Sequence, residues 1–264
     1  MLIIALSFLV MLLAVAILLW PPPNKNLKNN TDNQAANQSE STPVPAGPKQ
    51  LQSFSADQFK DLLNDYSYPN TTPIAETPSI TGNSVADARI RNIAEKRGYM
   101  VRTLANNDAL VTIEGQKMQA VTIDSYNQLK AAAAAANLDI NIVSGFRNVA
   151  EQRNIFLGQM RAKNISATSI ANGQSDAQVD AILKLNSIPG YSRHHNGYTV
   201  DFQCAESGLD NFAKTPCYAW LNANNYERVK MYGFIPSYPD GATNQGPNPE
   251  QWEYVWVGTD ALYK

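Results

Sequence analysis

The sequence predicts an α+β protein: a single domain with a central antiparallel sheet flanked by helices, preceded by an N-terminal transmembrane helix and a disordered linker. Three observations carry this. Residues 1–20 hold no charged side chain and are apolar almost throughout, which is about the length a helix needs to cross roughly 30 Å of hydrocarbon. Pro21 to Gln52 consists mainly of Asn, Gln, Ser, Thr and Pro, with too little apolar surface to offset the entropy of ordering. Beyond it, helical spacings mix with short strand-like runs, the pattern of helices segregated around an antiparallel sheet. Four segments follow: 1–20 as a transmembrane signal anchor, 21–52 as linker, 53–86 as a short helix and loop, and 87–264 as the main domain.

No basic stretch precedes the apolar run that ends at Trp20 and Pro21 to Pro23, so the anchor is expected to stay uncleaved and to make the membrane a partner. A flexible linker of this composition lets the domain roam some tens of ångströms from the bilayer. Lys25 and Lys28 just after the span weakly favour keeping that side cytoplasmic. The chain carries 21 Lys and Arg against 23 Asp and Glu, a net charge of -2. Such a balance offers no basic field for a phosphate backbone, which excludes nucleic acid as a partner.

Ser55 with Gln58 has the form of a capping box, and Phe59, Leu62, Leu63 and Tyr66 follow at helical spacing. Ser84 with Asp87 opens a second helix that Gly98 ends, with Ile90, Ile93 and Ala94 on one face. Ala109 to Ile113 and Ala120 to Ile123 read as strands, Tyr126 to Leu138 as an alanine-rich helix, and Ile140 to Val143 as a buried strand. A helix begins near Asn148. Further helices are expected near Ala177 to Leu185 and Tyr218 to Met231, and strands at Tyr198 to Phe202 and Tyr254 to Val257. Cys204 and Cys217, the only cysteines, either close a short disulfide loop in an oxidising compartment or are two buried thiols.

Three clusters carry chemistry. In Ser144-Gly-Phe-Arg147, with Gln152 five residues on, an arginine beyond a strand end can bind a carboxylate or an oxyanion, although a surface arginine at a helix start looks the same. Ser192-Arg193-His194-His195-Asn196-Gly197 leads into a strand whose alternation sets Thr199 and Asp201 on one side. A carboxylate on that face can meet a histidine from the turn as two metal ligands, while the plainer alternative is an exposed His pair. Glu250-Gln-Trp252-Glu253 puts two carboxylates beside an aromatic, one of them able to act as a general base; a polar turn would read alike.

Together, the order and spacing of these residues resemble the D-alanyl-D-alanine carboxypeptidases and related dipeptidases, with motifs S-x-x-R and a Gln, S-x-H-x-x-G-x-x-x-D, and E-x-W-H. Ser144, Arg147 and Gln152 match the first, Ser192, His194, Gly197 and Asp201 the second, and Glu250 and Trp252 the third. The resemblance covers roughly Asp87 to Gly258. It implies zinc held by His194 and Asp201, Glu250 as catalytic base, Arg147 stabilising the oxyanion, and Ser144, Gln152 and Ser192 near the substrate. Peptidoglycan stem peptides would be the substrate, cleaved by D,D- or L,D-carboxypeptidase action, with the domain in the periplasm or outside the cell. The family's third ligand is a histidine where this chain has Glu253, and the chain has no third histidine. Glu253 is the expected third ligand, with the adjacent His195 as the other candidate. The oxygen-rich set makes manganese the alternative to zinc, and a catalytically inactive, peptidoglycan-binding relative the alternative to an enzyme.

Overall fold

The structure, a computed structural model, describes residues 49–264. The expected membrane helix over 1–20 and nearly all of the linker lie outside these residues. Among the described residues no helix is long and apolar enough to cross a membrane. The end of the expected linker is ordered: Gln50 exchanges backbone hydrogen bonds with Lys264, and Gln52 donates to Leu262. The described residues lie within one compact unit.

The described residues contain helices α1 (Ala56–Asp65), α2 (Ser84–Lys96), α3 (Ala120–Ala135), α4 (Val149–Ala162), α5 (Ala167–Ala171), α6 (Asp176–Leu183) and α7 (Pro216–Lys230). The strands are β1 (Thr71–Thr72), β2 (Leu104–Ala105), β3 (Leu110–Ile113), β4 (Gln116–Gln119), β5 (Ile140–Ser144), β6 (Thr199–Cys204), β7 (Phe234–Pro236) and β8 (Glu253–Trp256). The main sheet is antiparallel in the order β5-β6-β8-β7.

Local chemistry sets most helix starts. Ser55 and Gln58 form a reciprocal capping box at α1, and Asn148 and Glu151 form another at α4, each satisfying backbone donors the helix leaves open. At α2 the cap is Asn83 rather than Ser84. Asp87 instead reaches back to accept from Ser79, Ile80 and Thr81, tying the preceding loop to the helix. The expected strand at Ala120 to Ile123 is the first turn of α3. The two-residue turn Glu114-Gly115, both left-handed, pairs β3 with Gln116–Gln119 instead. Thr122, Ile123, Tyr126, Leu129 and Ala133 are then buried on one helical face. The helix expected over Tyr218 to Met231 is interrupted, with Ala223 extended and Asn224 to Tyr226 left-handed.

One sheet face carries Val200, Phe202, Phe234 and Tyr254 into the main core with Tyr126, Leu129 and Ala133 of α3 and Cys217, Leu221 and Val229 of α7. Phe59 and Leu63 of α1 pack with Ile235, Val255 and Val257 on the other. A disulfide joins Cys204 at the end of β6 to Cys217 in the first turn of α7. A third core gathers α2, α4, α5 and α6 around Ile80, Tyr99, Ile188 and Tyr191. The cleft lies between this helical layer and the edge of the sheet where Asp201 and Glu253 emerge.

Candidate metal centre

Asp201 on β6 and Glu253 on β8 are direct cross-strand partners, and Ser144 on β5 pairs Asp201 from the other side. The period of two that sends Val200 and Phe202 into the core sends Asp201 to the opposite face. Two like charges opposite one another on a sheet repel, so the position needs cations. His194 arrives from a single 3-10 turn, Arg193–Asn196, closed by Gly197 with φ 75°. A Cβ at Gly197 would stand 2.8 Å from Leu110 Cδ2, so the motif glycine serves both the left-handed turn and a close approach.

His194 Nε2 lies 3.5 Å from Asp201 Oδ2 and 3.3 Å from Glu253 Oε2. Its Nδ1 is 2.6 Å from the Gly145 carbonyl oxygen, which can only accept, so Nδ1 carries the proton and Nε2 faces the carboxylates. One donor atom from each of the three residues falls within 4.8 Å of the others, and all three side chains are buried. Asp201 Oδ1 and Glu253 Oε1 are buried without a hydrogen-bond partner, a costly state for carboxylate oxygens unless a cation answers them. One nitrogen and two carboxylates are a donor set that zinc accepts, so these residues fit the ion. His195 is no ligand: its Nε2 accepts from the Gly190 amide at 3.0 Å and its Nδ1 donates to the Arg147 carbonyl at 2.6 Å. It fixes the turn against the Arg147 loop.

Electrostatics follow this geometry. Burial pulls the His194 pKa down, but Asp201 and Glu253 more than offset it and raise it to about 10. Burial pushes Glu253 up, and His194 with Arg193 overcomes this and lowers it to about 2. Glu250, on the wall of the same cleft, is raised well above the usual carboxylate range by burial first and then by Glu253 and Asp201.

The cleft encloses about 210 Å³, and Arg147, Gln152, Ser192, Tyr99 and Trp252 share its lining with the triad and Glu250. Arg147 donates to Gln152 Oε1 at 3.0 Å and to Ser144 Oγ at 3.3 Å. Gln152 is in turn anchored by its Nε2 to the Ser187 carbonyl at 2.7 Å. Both ends of the Gln152 amide are thus engaged within the protein, and Ser144 stands behind Arg147 rather than on the cleft wall. Ser192 is buried on that wall. Sequence reasoning passed over Arg193 and Arg102, which also line the cleft. Arg193 stands inside a motif but at an unspecified position, and only the fold buries it.

The family model described as D-alanyl-D-alanine carboxypeptidase matches residues 115–259. The chain belongs to this family. The match spans β4 to β8, and with them all three donor residues. Comparison with curated protein sequences returns no match. Among solved structures, the chain is similar to a variant of the vancomycin-resistance D,D-pentapeptidase VanY in complex with Zn(II), at 25% identity over 62% of this chain and 83% of that one, TM-score 0.46. It is also similar to VanYB in complex with D-alanine-D-alanine, at 26% over 62% and 81%, TM-score 0.46. A third is the LdcB LD-carboxypeptidase, at 23% over 58% and 64%, TM-score 0.45.

Proposed function

We propose that this D-alanyl-D-alanine carboxypeptidase relative is a zinc metallopeptidase that trims peptidoglycan stem peptides in the cell envelope, by D,D- or L,D-carboxypeptidase action. The observation that carries it is the convergence of His194, Asp201 and Glu253 on one cleft whose walls also hold Glu250 and Arg147. Zinc held by the three would supply Lewis acidity toward a carbonyl and a water. Glu250 accepts the proton from the attacking water and passes it to the leaving amine, and its raised proton affinity is the direction a base at neutral pH requires. Arg147 lines the cleft, held by Gln152 and Ser144, and its remaining donors would stabilise the oxygen where negative charge develops. Ser192 and Trp252 line the space for the peptide.

We infer that the domain works outside the cytoplasmic membrane, tethered through residues 1–20. The uncharged apolar stretch and the Cys204–Cys217 disulfide, a bond of oxidising compartments, support this placement. An alkaline phosphatase fused after Gln50 should be active, and an inactive one would refute export.

Digestion of purified muropeptides with the zinc-loaded protein, followed by mass spectrometry, tests the activity. Loss of one C-terminal D-alanine is expected. Glu250→Gln should slow the reaction by about 10² or more while zinc stays bound. A zinc-loaded native chain that leaves every muropeptide intact yet binds them would replace the enzyme with a binding protein.

A further inference from the structure

Glu253 is a charged group in an expensive place. It is 4% exposed, and its cross-strand partner is a second carboxylate, Asp201. Oε2 faces His194, while Oε1 has no hydrogen bond and stands 3.6 Å from Arg193 Nη1. Arg193 is itself 7% exposed and held from three directions. Nη1 donates to the Ser237 carbonyl at 2.6 Å, Nη2 donates to the Gln245 carbonyl at 3.1 Å, and the guanidinium carbon lies 3.9 Å from the centre of the Tyr238 ring. A buried arginine fixed in this way keeps its charge and its direction.

We infer that Arg193 is a positioning residue, a built-in countercharge for Glu253, so that the Glu253–Arg193 pair does the work of the neutral histidine found at that position in the family pattern. The inference rests on the metallopeptidase reading. A divalent ion with two neutral imidazoles and one carboxylate leaves a local charge of about +1, whereas one imidazole and two carboxylates leave about 0, and Arg193 restores about +1. The site then stays positive enough to polarise a carbonyl. Arg193 also draws Oε1 to its own side and leaves Oε2 for the ion. The competing role is purely structural: Arg193 would only tie the Ser237 to Gln245 loop to the histidine turn.

A cycle of four full-length chains separates the two: native, Arg193→Met, Glu253→His, and the double variant, with Arg193→Lys as the conservative control. Zinc affinity is measured by chelator competition, kcat and KM on a D-alanine-terminated muropeptide, and folding by urea titration of the metal-free proteins. Beside Glu253, Arg193→Met should lower kcat roughly thirtyfold with KM little moved, and zinc should bind as tightly or more tightly because a like charge has left. In the Glu253→His background, the kcat loss caused by Arg193→Met should shrink tenfold or more, and Arg193→Lys beside Glu253 should recover most of the native kcat. Equal losses in both backgrounds, or zinc affinity falling when Arg193 is removed, overturn the countercharge.

If the native chain neither binds zinc nor cleaves, the metallopeptidase reading fails by itself, and the urea titrations still judge the pair. Arg193→Met should then destabilise the Glu253 protein more than the Glu253→His protein. Folding only in the latter is the same result in extreme form, and equal destabilisation or failure to fold in both backgrounds overturns the inference.

Discussion

Zinc can enter this site only by evicting a proton. In the metal-free protein Asp201 and Glu253 overcome the effect of burial and hold the His194 pKa at about 10, with the proton on Nε2, the atom that faces both carboxylates. A metal needs that nitrogen neutral. Removing the proton costs about 1.4 kcal/mol for each pH unit below the pKa, so about 4 kcal/mol at pH 7, and apparent zinc affinity should climb about tenfold per pH unit up to that pKa. Glu250 is also raised and would release part of a second proton, so Glu250→Gln is the perturbation that isolates His194. Calorimetric titration of metal-free Glu250→Gln with zinc, in two buffers of different ionisation enthalpy, should count about one proton released at pH 7. Competition measurements should find Kd falling about a hundredfold from pH 6 to pH 8. A Kd indifferent to pH, with no proton released, would refute the arrangement of His194 between two ionised carboxylates. The same shift sets a stability trend with the opposite sign. The folded pKa lies above the ordinary value of 6.5, so its contribution to the metal-free fold is fully present below about 6.5 and is lost as pH rises through about 10.

Two further expectations concern the frame around the site. Asp87→Ala removes a carboxylate that accepts from Ser79, the Ile80 and Thr81 amides and the Thr81 hydroxyl at 2.6 to 3.0 Å, and should cost about 2–4 kcal/mol in urea unfolding. Burial raises the Asp87 pKa, but these donors overcome it and lower it. Its contribution is therefore present above about 3.9 and lost as pH falls through the lower folded value, so the stability gap between native and Asp87→Ala should close in acid, and a gap that stays constant with pH would contradict the assignment. Thiol counting on the denatured, unreduced protein from its native compartment should find no free cysteine, and reducing Cys204–Cys217 should destabilise the domain by up to about 3 kcal/mol. Two free thiols would refute both the bond and the oxidising compartment.

The sequence by itself determined whatever is settled within a few residues of chain. Ser55 with Gln58 announces α1, and Asn148 marks the start of α4, because a cap and its target amide lie three positions apart. The alternation over Tyr198 to Phe202 separated the core face of β6 from the face that carries Asp201. The spacing of three short motifs was enough for the family, since motif order survives where overall similarity has faded. Tertiary structure decided the rest. Ala120 to Ile123, rich in β-branched residues, has the composition of a strand, but the turn at Glu114-Gly115 fixes the pairing of β3 with Gln116–Gln119 and gives the following residues to a helix. Motif spacing from Ser192 singles out His194, but what His195 does instead is not local. Each Nδ1 meets a distant carbonyl, and the roles part at Nε2, which in His194 faces Asp201 and Glu253 and in His195 accepts from the Gly190 amide. Gln152 is on the cleft wall, and only the fold shows its amide tied to Arg147 and to the Ser187 carbonyl. The sequence offers Glu253 as a metal ligand but does not pair it with Arg193; they become a buried pair only because β8 sets Glu253 opposite Asp201 while the Ser237 and Gln245 carbonyls fix the guanidinium. Pairing and burial of this kind depend on which distant segments share a layer, and the local physics that nucleates helices and turns carries no record of that.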